Sequence, residues 1–176
     1  DIYTMNSEGN SFQKLTETAA SEWVPDWSPD SRKIAFASDR DGDSEIYVMD
    51  KDGTNLEKLT DNRSYDGRPR WSPDGKTISF ETDQDGGDWD IYIMNTDGST
   101  PRPITSNGTN DFSQSWSPDG NWLVYVSNAD GDNDFFYFLS LDSVNEAELT
   151  IFNRWGGVVF NKNAKGESGE MRWDGT

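Results

Sequence analysis

An all-β chain built from four-stranded blades is what this sequence predicts, on three observations. Trp-Ser-Pro-Asp occurs at 27–30, 71–74 and 116–119, spaced 44 and 45 residues apart. Each copy is followed by two short apolar segments separated by an acidic Asp-Gly turn, the pattern of strands in hairpins. Third, only 32 % of the 176 residues are apolar, yet 13 % are aromatic, including eight Trp. A core built from a few large side chains fits that composition better than a disordered chain does.

The elements follow in order within each repeat. The Ser-Pro-Asp-Gly turn has a mechanism: Pro73 pre-sets φ, Asp74 can bond its own backbone and Gly75 tolerates positive φ. Seven residues after each Trp comes a strand: Ile34-Ala35-Phe36, Ile78-Ser79-Phe80 and Leu123-Val124-Tyr125. Asp41-Gly42, Asp85-Gly86 and Asp130-Gly131 then turn the chain. Ile46-Tyr47-Val48-Met49 and Ile91-Tyr92-Ile93-Met94 are the next strand, and Ile2-Tyr3-Thr4-Met5 is an earlier copy. Asp52-Gly53 and Asp97-Gly98 lead into a short last strand ending Leu59-Thr60 or Ile104-Thr105, with Leu15-Thr16 as the earlier copy.

Four strands in a period of about 40–45 residues read as a β-propeller blade. The blade units lie near 1–16, 17–60, 61–105 and 106–150, about three blades in an incomplete ring. One Trp per blade is expected to pack between neighbouring blades, and Tyr47 and Tyr92 likewise. Trp-Ser-Pro-Asp-Gly, Ser-Asp-Arg-Asp-Gly at 38–42 and Ile-Tyr-Val-Met-Asp at 46–50 resemble the TolB-like β-propeller repeat over residues 1 to about 126. Such blades serve as binding platforms in many settings, so the resemblance implies a fold more than a function.

The repeat changes character after Val126. Glu148 to Gly156 reads Glu-Leu-Thr-Ile-Phe-Asn-Arg-Trp-Gly, followed by Val158-Val159-Phe160 and a terminal Trp173-Asp174-Gly175. These blocks resemble part of the gliding-motility-associated C-terminal domain, the type B sorting domain of type IX secretion. The resemblance implies a small β-sandwich-like segment over 127–176, with the domain boundary near 127. It implies export, anchoring and a contact between the tail and the secretion machinery. Arg154 beside Trp155 reads as a structural ion pair or as part of that contact.

Charge and absent residues exclude much. Net charge is −18, from 33 acidic and 15 basic residues, which disfavours nucleic acid and anionic membranes and favours cations or basic protein surfaces. No His and no Cys are present, removing Ser-His-Asp and Cys-His catalysis, disulfides and thiolate metal sites. No apolar run approaches the ~18 residues of a membrane span. The chain opens on a strand pattern and is expected to be a mature or excised segment.

The acidic turns are the candidate sites. Asp39, Asp41, Asp43 and Glu45 alternate, as do Asn128, Asp130, Asp132 and Asp134. Alternate oxygens around a glycine can converge on Ca²⁺, which takes six to eight hard oxygen ligands. Asp83, Asp85, Asp88 and Asp90 are less regular. The competing reading is a solvated hairpin tip in which Asp-Gly is turn chemistry alone.

These readings converge on a non-enzymatic, secreted or outer-surface protein of a Gram-negative bacterium, with protein partners and no catalytic residues. Incomplete blades invite pairing with another chain, so a homo-oligomer or filament is a further expectation. The alternatives are a periplasmic TolB-like partner-binding propeller and the non-catalytic propeller of a surface hydrolase.

Overall fold

In the computed structural model, side chains are described for residues 1–128; beyond them the backbone is described for strands 135–140, 146–152 and 158–165. All regular structure among the described residues is β. A hairpin of β1 (Tyr3–Thr4) and β2 (Gln13–Lys14) opens the chain. Two complete antiparallel blades follow. The first holds β3 (Glu22–Trp27), β4 (Lys33–Ser38), β5 (Glu45–Asp50) and β6 (Glu57–Lys58). The second holds β7 (Asp66–Trp71), β8 (Thr77–Thr82), β9 (Asp90–Asn95) and β10 (Arg102–Pro103). A third sheet has three strands, β11 (Asp111–Trp116), β12 (Trp122–Ser127) and β13 (Phe135–Ser140). Finally β14 (Glu146–Phe152) pairs with β15 (Val158–Lys165) in a two-stranded sheet of its own. The predicted four-stranded blade is therefore present twice among the described residues, with a three-stranded sheet after it, and no closed ring is seen among them.

The repeated residues build repeated geometry. In the first blade Ser28 Oγ donates to Asp30 Oδ1 at 2.7 Å and accepts from the Lys33 amide at 2.9 Å. Ser72 and Asp74 repeat this bond at 2.7 Å, and Ser117 and Asp119 at 2.5 Å. Gly75 and Gly120 sit at φ 70° and 75°; Ser31, where the first repeat lacks the glycine, is held at 58°. Gly53 and Gly98 are required twice over: their φ values are positive, and a Cβ would meet Leu15 O at 2.7 Å and Leu59 O at 2.6 Å. Each of these turns thus rests on the Leu-Thr end of the preceding unit.

The first strand of each blade carries a bulge. Register slips between Trp23 and Asp26, Gly67 and Arg70, and Phe112 and Ser115. Val24, Arg68 and Ser113 occupy the slip at φ 49°, 49° and 59°. A bulge sharpens the local twist of its strand, and three equivalent ones keep the blades alike. The outermost strands β6 and β10 have two residues each, and Pro103 in β10 lacks an amide, so little ladder edge is offered outward.

The core lies between blades. One buried cluster joins Ala35, Ala37, Ile46 and Val48 of the first blade to Trp71, Ile78, Phe80, Tyr92 and Met94 of the second. Another joins Ile2 of the opening hairpin to Ile34, Phe36, Tyr47 and Met49. Trp71 in the seam is 8 % exposed, as expected for an inter-blade tryptophan, whereas Trp27, beside the two-stranded hairpin, is 47 % exposed. Trp116 reaches back to the second blade, its Nε1 donating to Ser79 Oγ at 3.0 Å. Tyr47 is 3 % exposed and its counterpart Tyr3 56 %, because β1 has no inner strands beside it.

Candidate functional site: the acidic turn face

Antiparallel strand order sends alternate connections to opposite ends of a blade. The β4–β5 and β8–β9 turns therefore share an end with the connectors 59–65 and 104–110, and the Trp-Ser-Pro-Asp turns lie at the other. This first end concentrates the acidic residues singled out in the sequence.

The structure directs those residues to different partners. Asp39 Oδ1 accepts the Ser21 amide at 2.7 Å, and Asp83 Oδ1 does the same for Tyr65 at 2.9 Å. Asn128 Oδ1 takes the Asn110 amide at 2.7 Å, so this position fastens each turn to the connector before the blade. Asp41 accepts the Tyr47 hydroxyl at 2.5 Å and lies 3.4 Å from Lys58 Nζ. Asp85 accepts the Tyr92 hydroxyl in the same way. Those bonds, Tyr47 first and Lys58 next, hold the Asp41 carboxyl below its usual range. Burial and the Asp85 bond push the Tyr92 phenol up to about 12. Asp43 is half-buried at the turn.

Glu45 turns inward. It is fully buried, accepting the Thr60 hydroxyl at 2.5 Å and the Asn62 amide at 2.8 Å. Lys58 Nζ lies 3.8 Å from Glu45 and 2.6 Å from Asp61, so one ammonium serves Asp41, Glu45 and Asp61 together. Asp39, Asp41, Asp43 and Glu45 thus diverge, and no group of three metal-capable side chains forms among the described residues. Asp130, Asp132, Asp134 and Arg154 lie outside the described residues.

A buried motif that the sequence reading missed recurs at the end of each unit. Thr16, Thr60 and Thr105 accept the amides of Ile2, Ile46 and Ile91 at 2.8–2.9 Å. Each hydroxyl donates to a buried carboxylate: Glu22 at 3.0 Å, Glu45 at 2.5 Å and Asp90 at 3.3 Å. A hydroxyl can do both because it carries one donor and two acceptor positions. Asp66 and Asp111, at the starts of β7 and β11, are buried beside these triads and receive the amides of Asn62 at 2.7 Å and Asn107 at 3.0 Å. Burial pushes Asp66 and Asp90 up to about 6 and raises Asp111 as well. The signal was legible as the Leu-Thr ending recurring 44 and 45 residues apart, and was read there only as a strand end.

Residues 1–86 and 62–159 match the TolB beta propeller domain, the match running past the boundary placed near 127. A TolB-like protein from Agrobacterium tumefaciens is 27 % identical, with a TM-score of 0.68 over 93 % of this chain and 57 % of that one. TolB from Acinetobacter baumannii is 23 % identical, with a TM-score of 0.65 over 92 % of this chain and 48 % of that one. The chain therefore spans about half the length of these structures. An oligogalacturonate lyase in complex with manganese is 17 % identical, with a TM-score of 0.59 over 87 % and 44 %, a likeness of fold alone. No curated protein matches.

Proposed function

We infer that this chain, which belongs to the TolB beta propeller domain family, is part of a non-enzymatic propeller that binds protein partners outside the cytoplasm, in the periplasm or at the outer surface. One observation carries the non-catalytic reading: Thr60 with Glu45 and Thr105 with Asp90 make the same buried hydroxyl–carboxylate bond at equivalent places in successive blades. A catalytic pair is placed once, where its substrate sits, whereas a repeated set serves architecture. The acid-rich turn face and the net charge of −18 support a basic partner surface.

Photocrosslinking in the producing bacterium tests this, with benzoylphenylalanine at Gln84 on the turn face and at Lys51 on the opposite face. Discrete heterotypic adducts from Gln84, fewer from Lys51, are the expected result. Adducts from neither face, together with turnover of a defined substrate by the purified chain, would overturn the reading.

A second reading concerns the tail. The Ile-Phe-Asn-Arg-Trp-Gly block at 151–156 supports export and anchoring by a type IX-like module. Deleting 146–176 should then leave the protein inside the cell envelope, and normal surface display of the deletion would refute the sorting role.

A further inference from the structure

Three aromatic residues are brought together by the structure, two of them, Tyr65 and Trp89, at positions where the other blades carry small or polar residues. Trp23 stands where the later blades have Gly67 and Phe112; Tyr65 where they have Ser21 and Asn110; Trp89 where the first blade has Ser44. Hydrogen bonds fix these equivalences. The amides of Ser21, Tyr65 and Asn110 all bond the first residue of the next turn, and the carbonyls of Ser44 and Trp89 take the amides of Asp66 and Asp111. Trp23 Nε1 donates to Tyr65 Oη at 3.0 Å. The Tyr65 and Trp89 rings meet edge to face, centroids 4.7 Å apart and planes at 70°, and Trp23 lies 6.3 Å from Tyr65. Room for Tyr65 comes from Gly67, where a Cβ would fall 2.4 Å from its Cε1.

The trio crosses two seams. Trp23 begins the first blade's inner strand, Tyr65 and Trp89 belong to the second, and Trp89 is fastened to the third through Asn110, whose Oδ1 takes its amide at 2.9 Å. All three rings are half-buried, unlike the seam-core aromatics Phe36 and Phe80. Asp83, Asp85 and Asp88 lie in the β8–β9 turn that leads into Trp89, and Asp83 takes the Tyr65 amide; Asp88 forms no ion pair among the described residues.

We propose that Trp23, Tyr65 and Trp89 form a docking platform for an arginine-bearing basic segment of a partner protein, the guanidinium lying on the aromatic faces while Asp88 and its neighbours supply the countercharge. This deepens the partner-binding reading above and rests on it. At the Tyr65 and Trp89 positions the repeat alone requires no aromatic, since Ser21, Asn110 and Ser44 fold equivalent blades, and at the Trp23 position Gly67 serves in the second blade. A planar guanidinium stacks on rings where an ammonium of equal charge does so less well, which separates this platform from the general attraction of an acidic protein for cations.

The test compares tetra-arginine with tetra-lysine peptides by calorimetry on the full 176-residue chain at physiological salt. The wild type should bind tetra-arginine about three- to fivefold more tightly. Trp89→Ala should bring that preference close to one, and Trp89→Phe, which keeps a ring, should retain most of it. Asp88→Asn should weaken both peptides alike. Thermal melts of each variant establish that it is folded. A preference unchanged in folded Trp89→Ala, or equal binding of the two peptides by the wild type, would overturn the platform. Crosslinked partners persisting at Gln84 in that case would leave the partner-binding reading standing.

Discussion

Replacing Asp66 by asparagine should stabilise the protein at alkaline pH and do nothing for it in acid. Asp66 is fully buried; one carboxylate oxygen takes the Asn62 amide at 2.7 Å and the other, like the Thr82 hydroxyl, closes no hydrogen bond of ordinary geometry. Burial raises its pKa from 3.8 to about 6; Thr82, Thr60 and Asn62 oppose the rise and Glu45 adds to it. Because the folded value lies above the unfolded one, the folded chain keeps the proton to higher pH. Stability therefore falls as pH climbs from about 4 to about 6 and is level beyond that. Two pKa units correspond to about 3 kcal/mol lost by pH 8. Asp66→Asn removes the charge and keeps an acceptor for Asn62, while its own unpaired amide costs about 1 kcal/mol. The variant should be more stable by about 1–2 kcal/mol at pH 8 and no more stable at pH 4. Urea unfolding followed by tryptophan fluorescence at both pH values reads the difference. Equal destabilisation at pH 4 and pH 8 would refute the argument, showing a carboxylate that the seam holds as an anion.

The turn carboxylates respond in the opposite sense. Asp30, Asp74 and Asp119 are held below their usual range by Ser28, Ser72 and Ser117, so whatever stability they give is present above pH 4 and lost in acid, visible as a falling melting temperature below that pH. Gly98→Ala should cost about 2–4 kcal/mol in urea unfolding, since it adds positive-φ strain to a 2.6 Å clash with Leu59 O; Gly108→Ala, with open space around it, should cost about 1. Thr60→Val should cost about 2 kcal/mol, stranding the Ile46 amide and the buried Glu45, whereas Thr60→Ser should stay near wild type. Asp41→Asn with Asp43→Asn should leave any calcium-dependent change in melting temperature as in the wild type, because Lys58 already neutralises that turn. A calcium response lost only in the double variant would place the ion there.

Asp39, Asp41, Asp43 and Glu45 show how a turn redirects evenly spaced side chains. Alternation places side chains on opposite sides of a strand, so oxygens two residues apart share a face only while the chain stays extended. Here the turn at Gly42, with φ 112°, intervenes. Asp39 is drawn back to Ser21, Asp41 across to Tyr47 and Lys58, and Glu45 inward to Thr60. Trp27 and Trp71 make the same point for burial: identical motifs, one with a complete blade beside it and one without.

From the sequence alone came the all-β class, the four-stranded period, the turns and the strands, because each depends on residues within a few positions of one another. Trp-Ser-Pro-Asp closes its own turn, and Ile-Tyr-Val-Met alternates along its own strand, whatever lies beyond. Only the tertiary structure decided which carboxylates are buried, that Thr60 closes on Glu45 at the end of the first blade, and that Trp23, Tyr65 and Trp89 meet. Those contacts join residues 15 to 42 positions apart, and their energies come from desolvation and ring packing that exist only once strands distant in the chain have come together.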